Sequence, residues 1–362
     1  MFETVFYFPW EVNLILFIQS TFPNVVMGFF KIIADVVSKN VLALLFISIY
    51  LVYNKEWGRF TLLSLGVAGV CCEFIKVTVA RLRPYAVVDK IKCIYANVPN
   101  QDPLNFKIQG YSLPSGHTMM ATNLFLAIPI YMKNIPYIVM GLIGVLIVAL
   151  SRVGLGVHFP TDTIAAFIIA LAILLILSRL YDMKEKRTYL YLGIVALSLV
   201  GIVFCPVISY IKYVALVSGI SLGFLVEEKY VNFENPKSRR DAIVRFVGAI
   251  ILFVLLFVLI PKMMGNNDIV NCIKYSLSTF IILAIYPLTF KKLDRDGWMN
   301  PLYQLSFKWL KKKWFYNMAS YTLIFSFILL DVLYPLKSIL IYNKCLSIYK
   351  SFSIPLMNQL LL

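Results

Sequence analysis

"HFPTDTIAAFIIALAILLILSRLYD", residues 158–182, contains a run of apolar residues from 160 to 181 broken only near its two ends, by Asp162 and Arg179. About twenty such residues are what a helix needs to cross the hydrocarbon layer of a bilayer. Lipid offers no partner to an unpaired backbone group, so the run must be helical. Pro160 suits a first helical turn, where its missing N–H costs nothing. Comparable runs lie at 38–53, 58–80, 116–133, 135–156, 188–206, 208–226, 242–261, 269–290 and 316–342. Together they predict an all-α, polytopic membrane bundle of about ten transmembrane helices. Composition agrees: the 362 residues are 60% hydrophobic and 14% charged, with a mean hydropathy of +0.81. A soluble domain has too little interior for that apolar share.

The formal net charge is +16. In a soluble protein this would suggest nucleic acid. Here the basic residues sit in short links between apolar runs and read as topology determinants, so no nucleic-acid partner is expected. One set of alternate links holds Lys55 and Arg59, Lys133, Lys184, Lys186 and Arg187, then Lys229, Lys237, Arg239 and Arg240, and finally Lys291, Lys292, Arg295 and Lys311 to Lys313. The positive-inside rule places this set in the cytoplasm. The link 81–115 then faces outward, although it carries Arg81, Arg83, Lys90, Lys92 and Lys107. Either this topology is wrong or some of those charges have another purpose.

The N-terminus has no basic flank or small-residue cleavage site, so no removable signal peptide is expected. Residues 1–37 read as an amphipathic, interfacial segment interrupted by Glu11, Lys31 and Asp35. A catalytic membrane core is expected over 38–186, and additional C-terminal spans over 187–362. The six cysteines show no metal pattern, and Cys71 and Cys72, mid-span, read as inert packing. In the C-terminal part, Glu227, Glu228 and Asp331 are costly in lipid and should face protein. Gly219 and Gly223 have a spacing that permits close helix contact. This half should therefore pack on the catalytic bundle or on a second copy of the chain, as in a homodimer.

Three clusters carry chemistry. In "KVTVARLRP", residues 76–84, Lys76 and Arg83 are seven apart, two turns on one helical face, with Pro84 breaking the span just beyond. In "PSGH", residues 114–117, Ser115 suits a helix cap and Gly116 lets an anion approach free backbone N–H groups. In "SRVGLGVHFPTD", residues 151–162, Arg152 ends one span, and His158 lies four residues before Asp162, within reach of its ring. Each cluster alone has a bland explanation: an interfacial arginine, a turn, an acidic residue at a helix start. The alternating topology, however, brings all three to one membrane face. Both histidines of the chain are delivered there, with cations and helix N-termini. One anion site explains this better than three coincidences.

Lys76-x6-Arg83-Pro84, Pro114-Ser115-Gly116-His117 and Ser151-Arg152-x5-His158-x3-Asp162 resemble, in order, the three signature motifs of the type 2 phosphatidic acid phosphatase (PAP2) superfamily. The resemblance covers about 38–181, and 187–290 looks like the C-terminal spans of longer, sphingosine-phosphate-phosphatase-like bacterial members. It implies a lipid phosphate phosphatase with its site at the outer face of the cell membrane. His158 would be the nucleophile, forming a phosphohistidine, with Asp162 orienting it and His117 as general acid. Lys76, Arg83, Ser115, Gly116 and Arg152 would bind the phosphoryl oxygens, with no metal and no other cofactor. A phosphotransferase, a glucose-6-phosphatase-like enzyme acting on a soluble ester, and a non-catalytic transporter or scaffold remain as alternatives.

Overall fold

The computed structural model describes residues 3–37, 39–95, 102–105, 109–259 and 268–290. The span expected at 316–342, with Asp331, lies outside the described residues, as does Lys107. Among the described residues the structure is helical, with no β-strand beyond one isolated bridge. The helices are α1 (Pro9–Thr21), α2 (Asn24–Val36), α3 (Lys39–Ser48), α4 (Lys55–Val79), α5 (Pro84–Val87) and α6 (Gly116–Tyr131). They continue as α7 (Ile135–Gly154), α8 (Pro160–Asp182), α9 (Arg187–Phe204), α10 (Ile208–Val226), α11 (Arg239–Val254) and α12 (Asp268–Phe280).

Their starts follow from local chemistry. The side chains of Asn54, Ser115 and Asn134 accept from the backbone N–H three residues on, at 3.1, 3.4 and 3.3 Å, and so cap α4, α6 and α7. Pro9, Pro84 and Pro160 open α1, α5 and α8 at the first position.

Among the described residues, six helices are long and apolar enough to cross a membrane: Lys55–Val79, Ile135–Gly154, Pro160–Asp182, Lys184–Phe204, Ile208–Val231 and Cys272–Thr289. A seventh is added if α1 and α2, bent by 116°, count as one broken span. The protein is thus a multi-span membrane protein. Fewer helices pass than the ten apolar runs suggested. α6 has only 16 residues and turns Thr118, Thr122 and Asn123 into the bundle, and α11 begins with Arg239, Arg240 and Asp241.

α6 packs on α4, α7 and α8, and α10 on α4, α9 and α12. On α8 the buried side chains include Ala166, Ala170 and Leu174, while Ile164, Ile168, Leu175 and Ile176 are exposed. Small residues allow close helix approach, and large apolar ones suit lipid. Gly219 of α10 works the same way: a Cβ there would lie 2.3 Å from the Ser276 carbonyl oxygen of α12.

The start of α4 meets the end of α10 in a buried charge network. Lys55 Nζ lies 2.8 Å from Glu227 Oε1, and Arg59 pairs with Glu227 and, at 2.6 Å, with Glu228. Arg187 of α9 joins Glu56 at 2.9 Å and Glu228 at 3.1 Å. Glu227 and Glu228 do face protein. Lys55, Arg59 and Arg187 are buried, not the solvated link charges that the topology reading treats them as. Exposed cations at this end include Lys184 and Lys186.

Candidate active site

The opposite end of α4 builds the site. α4 ends at Val79, and Ala80 takes a left-handed conformation, φ 50°. Its N–H returns to the Lys76 carbonyl at 2.9 Å. Arg83 therefore lies outside the helix, and the expectation that Lys76 and Arg83 share one helical face is corrected. Residues near the N-terminus take over the loose end: Thr4 N donates to Ala80 O and accepts at its own carbonyl from Leu82 N, both at 3.0 Å. The chain leaves the helix there, and Arg83 reaches the site through this loop instead of along the helix.

Lys76 is buried in the last turn of α4. Its Nζ lies 3.9 Å from where a Cβ on either Gly110 or Gly116 would sit, so the ammonium faces the start of α6. Arg83 is fully buried and donates from Nε to Gly110 O at 2.8 Å, from Nη1 to Val157 O at 3.0 Å and from Nη2 to Gln109 O at 2.9 Å. Three of its five N–H groups are thus spent on fixing the loops before α6 and α8, and two remain.

Ser115 caps α6 through its side chain, and its own N–H donates to Asp162 O at 3.1 Å, which joins the N-termini of α6 and α8. Gly116 and His117 form the first turn of α6 and are half-buried. Arg152 is fully buried in the last turn of α7.

His158 is buried immediately before α8, with Nδ1 3.6 Å from Asp162 Oδ2. Asp162 is held by three donors. Arg81 Nη1 reaches Oδ1 at 2.6 Å, while Phe159 N at 2.7 Å and the Ser112 hydroxyl both reach Oδ2. Burial pushes the His158 imidazole well below its ordinary titration range, and the charges of Arg83, Arg152 and Lys76 push it further. Its ring is therefore neutral at pH 7, with a lone pair free on one nitrogen. Burial also lowers the Arg83 guanidinium.

Around His158 the buried charged side chains are the cations Lys76, Arg81, Arg83 and Arg152 and the carboxylates Glu11 and Asp162. Four positive charges against two negative leave an excess that an anion would neutralise. A site built from guanidinium forks, an ammonium and a helix N-terminus fits a phosphoryl group.

Comparison with known proteins places most of these helices in a family. Residues 57–186 match the model of the PAP2 superfamily, and residues 211–297 match that of the PAP2 superfamily phosphatase transmembrane extension. The chain belongs to the PAP2 superfamily. It is 32% identical over 146 residues to phosphatidylglycerophosphatase B of Bacillus subtilis (strain 168), covering 37% of this chain and 63% of that protein. It is 31% identical over 120 residues to undecaprenyl-diphosphatase of Sulfolobus acidocaldarius, covering 32% of this chain and 51% of that protein. The match thus spans about half to two thirds of each relative's length. No solved structure matches the chain significantly.

All eight residues singled out in the sequence fall within the matched superfamily domain. Sequence reasoning missed Arg81 and Ser112, which donate to Asp162, and Glu11 and Thr161, which accept from Arg81. Two of these had left a signal. Arg81 was a basic residue in a link that the charge reading expects to face outward, and Glu11 interrupted an apolar N-terminal stretch.

Proposed function

We propose that the protein is an integral-membrane phosphatase that hydrolyses a lipid phosphate through a phosphohistidine, without a metal. The observation that carries this reading is the buried His158, with Nδ1 turned to Asp162 and held neutral among Lys76, Arg83 and Arg152. With its proton on Nδ1, the other ring nitrogen attacks phosphorus. The P–O bond to the lipid breaks, and the leaving oxygen takes a proton from His117. His117 then accepts a proton from water, which attacks the phosphohistidine. Inorganic phosphate leaves and His158 is restored. Lys76, Arg83, Arg152, Ser115 and the N–H groups at Gly116 and His117 bind the oxygens on which charge develops.

The substrate class follows from place and relatives. The site lies at one end of membrane-crossing helices, where a headgroup can sit while its tails stay in lipid. Phosphatidylglycerophosphate and undecaprenyl diphosphate, taken from the relatives' names, are the first two candidates. Phosphatidic acid and sphingoid phosphates present the same end group. We place the site on the extracytoplasmic side of the cell membrane. In support, Lys184 and Lys186 stand close in sequence to Arg187, which pairs with Glu56 in the first turn of α4, the end opposite Lys76. Residues 38–186 form the catalytic core in this reading, and 187–362 the additional helices.

The test is phosphate release in detergent, with chelator present, from these four lipids and from glucose 6-phosphate. Release from a lipid that is lost in His158→Ala supports the proposal. Release from glucose 6-phosphate alone favours a soluble-ester enzyme. A requirement for an added alcohol favours a phosphotransferase. Tight phosphate binding without turnover favours a transporter or scaffold.

A further inference from the structure

α1 lies outside the superfamily domain, which begins at residue 57, yet it places a fully buried carboxylate, Glu11, beside the site. Glu11 Oε2 accepts from Arg81 Nη2 at 3.1 Å, and Oε1 accepts from Thr161 N at 3.1 Å and from the Thr161 hydroxyl at 2.6 Å. Arg81 in turn donates from Nη1 to Asp162 Oδ1 at 2.6 Å and to Thr161 Oγ1 at 2.7 Å, and from Nε to Phe6 O at 3.0 Å. Its guanidinium is sandwiched between the rings of Phe6, 4.4 Å away, and Phe159, 4.2 Å away, so it cannot swing to another partner. Hydrogen bonds thus run from Glu11 through Arg81 to Asp162, whose Oδ2 lies 3.6 Å from His158 Nδ1, an ion-pair distance without a hydrogen bond.

We propose that Glu11 is a positioning residue for the reaction, acting through Arg81 and Thr161 to hold Asp162 against His158. This rests on the reading of His158 as the nucleophile. A purely structural role would be to dock the N-terminal helix, but apolar contacts already do that. Ile15, Ile18 and Met27 pack with Val153 and Phe159 in one buried cluster. A buried ion pair is a poor way to dock a helix, since apolar residues of like volume usually serve as well or better. A carboxylate here has a different effect. Arg81 is shared between two carboxylates, so Asp162 keeps more of its charge for the ring N–H of His158. The groups facing His158 are Lys76 from α4, Arg83 from the loop after it, the Ser112 backbone, Arg152 from α7 and Asp162 from α8. Those on Glu11 are Arg81, Thr161 and its own Phe8 N–H.

The experiment compares the full chain with Glu11→Gln, Arg81→Gln, the double variant and Thr161→Val, on a lipid phosphate that the wild type hydrolyses, with His158→Ala as control. Glu11→Gln should lower kcat about ten- to a hundredfold, the usual scale for losing a group that orients a working side chain. KM should stay within about twofold, because the phosphate-binding side chains are untouched. The acid limb of kcat/KM should move to lower pH, since removing a negative charge disfavours imidazolium at His158. The double variant should be no slower than Arg81→Gln alone. Thr161→Val, a smaller change, should give the same split of kcat from KM. A folded Glu11→Gln with wild-type kcat overturns the proposal, as does a loss of rate with no movement of the acid limb. If neither Glu11→Gln nor Thr161→Val folds, Glu11 is architectural and the proposal is equally overturned. A wild type inactive on every lipid, and indistinguishable from His158→Ala, fails the phosphatase reading instead.

Discussion

Asp162→Asn is the most telling small change in the site, because every group around that carboxylate is a donor. Arg81 Nη1, Phe159 N–H and the Ser112 hydroxyl all give hydrogens to it. An amide has one accepting oxygen and an NH2 that only donates. If the amide oxygen stays toward Phe159 and Ser112, the NH2 meets Arg81 and the charge-assisted bond there is lost. If it flips, the NH2 meets the Phe159 N–H and the Nδ1 edge of His158, which drives the ring proton to the other nitrogen and masks the attacking lone pair. The first orientation costs about 2–3 kcal/mol of stability, the value of one hydrogen bond to a charged group. Arg81 still keeps Glu11 at 3.1 Å, so the protein should remain folded. In either orientation the charge that supports a cationic His158 is gone. Turnover should fall roughly 10²–10⁴-fold, a barrier increase of about 3–5 kcal/mol, on the scale of other histidine–carboxylate couples. Single-turnover phosphate release in detergent measures the rate, and thermal unfolding reports the fold. A folded Asp162→Asn within threefold of the wild-type rate would refute the claim that this carboxylate orients the nucleophile.

Other outcomes follow from the same geometry. His158 titrates well below its ordinary value, and attack needs the neutral ring. The acid limb of kcat/KM should therefore lie below pH 6.5, and a limb above it would contradict the buried, cation-ringed site. The sign for stability is also set: the unfolded chain takes up this proton near pH 6.5 and the folded one does not, so His158 should make the fold lose stability as pH falls below that value. Glu227→Ala takes from Lys55 its carboxylate partner at 2.8 Å, leaving it only the neutral oxygens of Asn232 and Phe233, and removes one of Arg59's carboxylates. It should cost about 3–5 kcal/mol, seen as a large drop in Tm, whereas an unchanged Tm would show that this charge network does not hold α10 to α4. Cysteines at Lys90 and Lys186, both exposed, should react with impermeant reagent from opposite sides of the membrane, Lys90→Cys from outside. Labelling of Lys186→Cys from outside would move the site to the cytoplasm.

The helices and the three motifs were legible in the sequence because both depend on local signals. Apolar run length marks spans, and Asn54, Ser115, Pro84 and Pro160 mark starts. Even the meeting of the end of α4 with the starts of α6 and α8 followed from counting which way each span runs. The path to Arg83 did not. Its approach depends on the left-handed Ala80 and on Thr4, 76 residues earlier, bonding to the frayed end of α4, and no periodicity encodes such a contact. Glu11 was hidden for the same reason. Its partners Arg81 and Thr161 are far along the chain, so it reads as an interruption in an apolar stretch. The charges at the other end of α4 misled in the opposite way. Lys55, Arg59 and Arg187 look like solvated link residues until Glu227 and Glu228 are seen against them. Long-range pairing, not local propensity, decided each of these cases.

The central claim, that His158 carries the phosphoryl group, is tested most directly by trapping the covalent intermediate. Purified protein is mixed with a lipid phosphate it hydrolyses, quenched in base, where phosphohistidine survives, and digested for fragmentation mass spectrometry. His117→Ala, which keeps the nucleophile but lacks the proposed proton donor and acceptor, is treated alongside with a substrate whose leaving group needs no proton. The account expects a phosphoryl group on His158, more of it in His117→Ala than in the wild type, and none in His158→Ala. A phosphoryl group on any other side chain, or its persistence in His158→Ala, would contradict it.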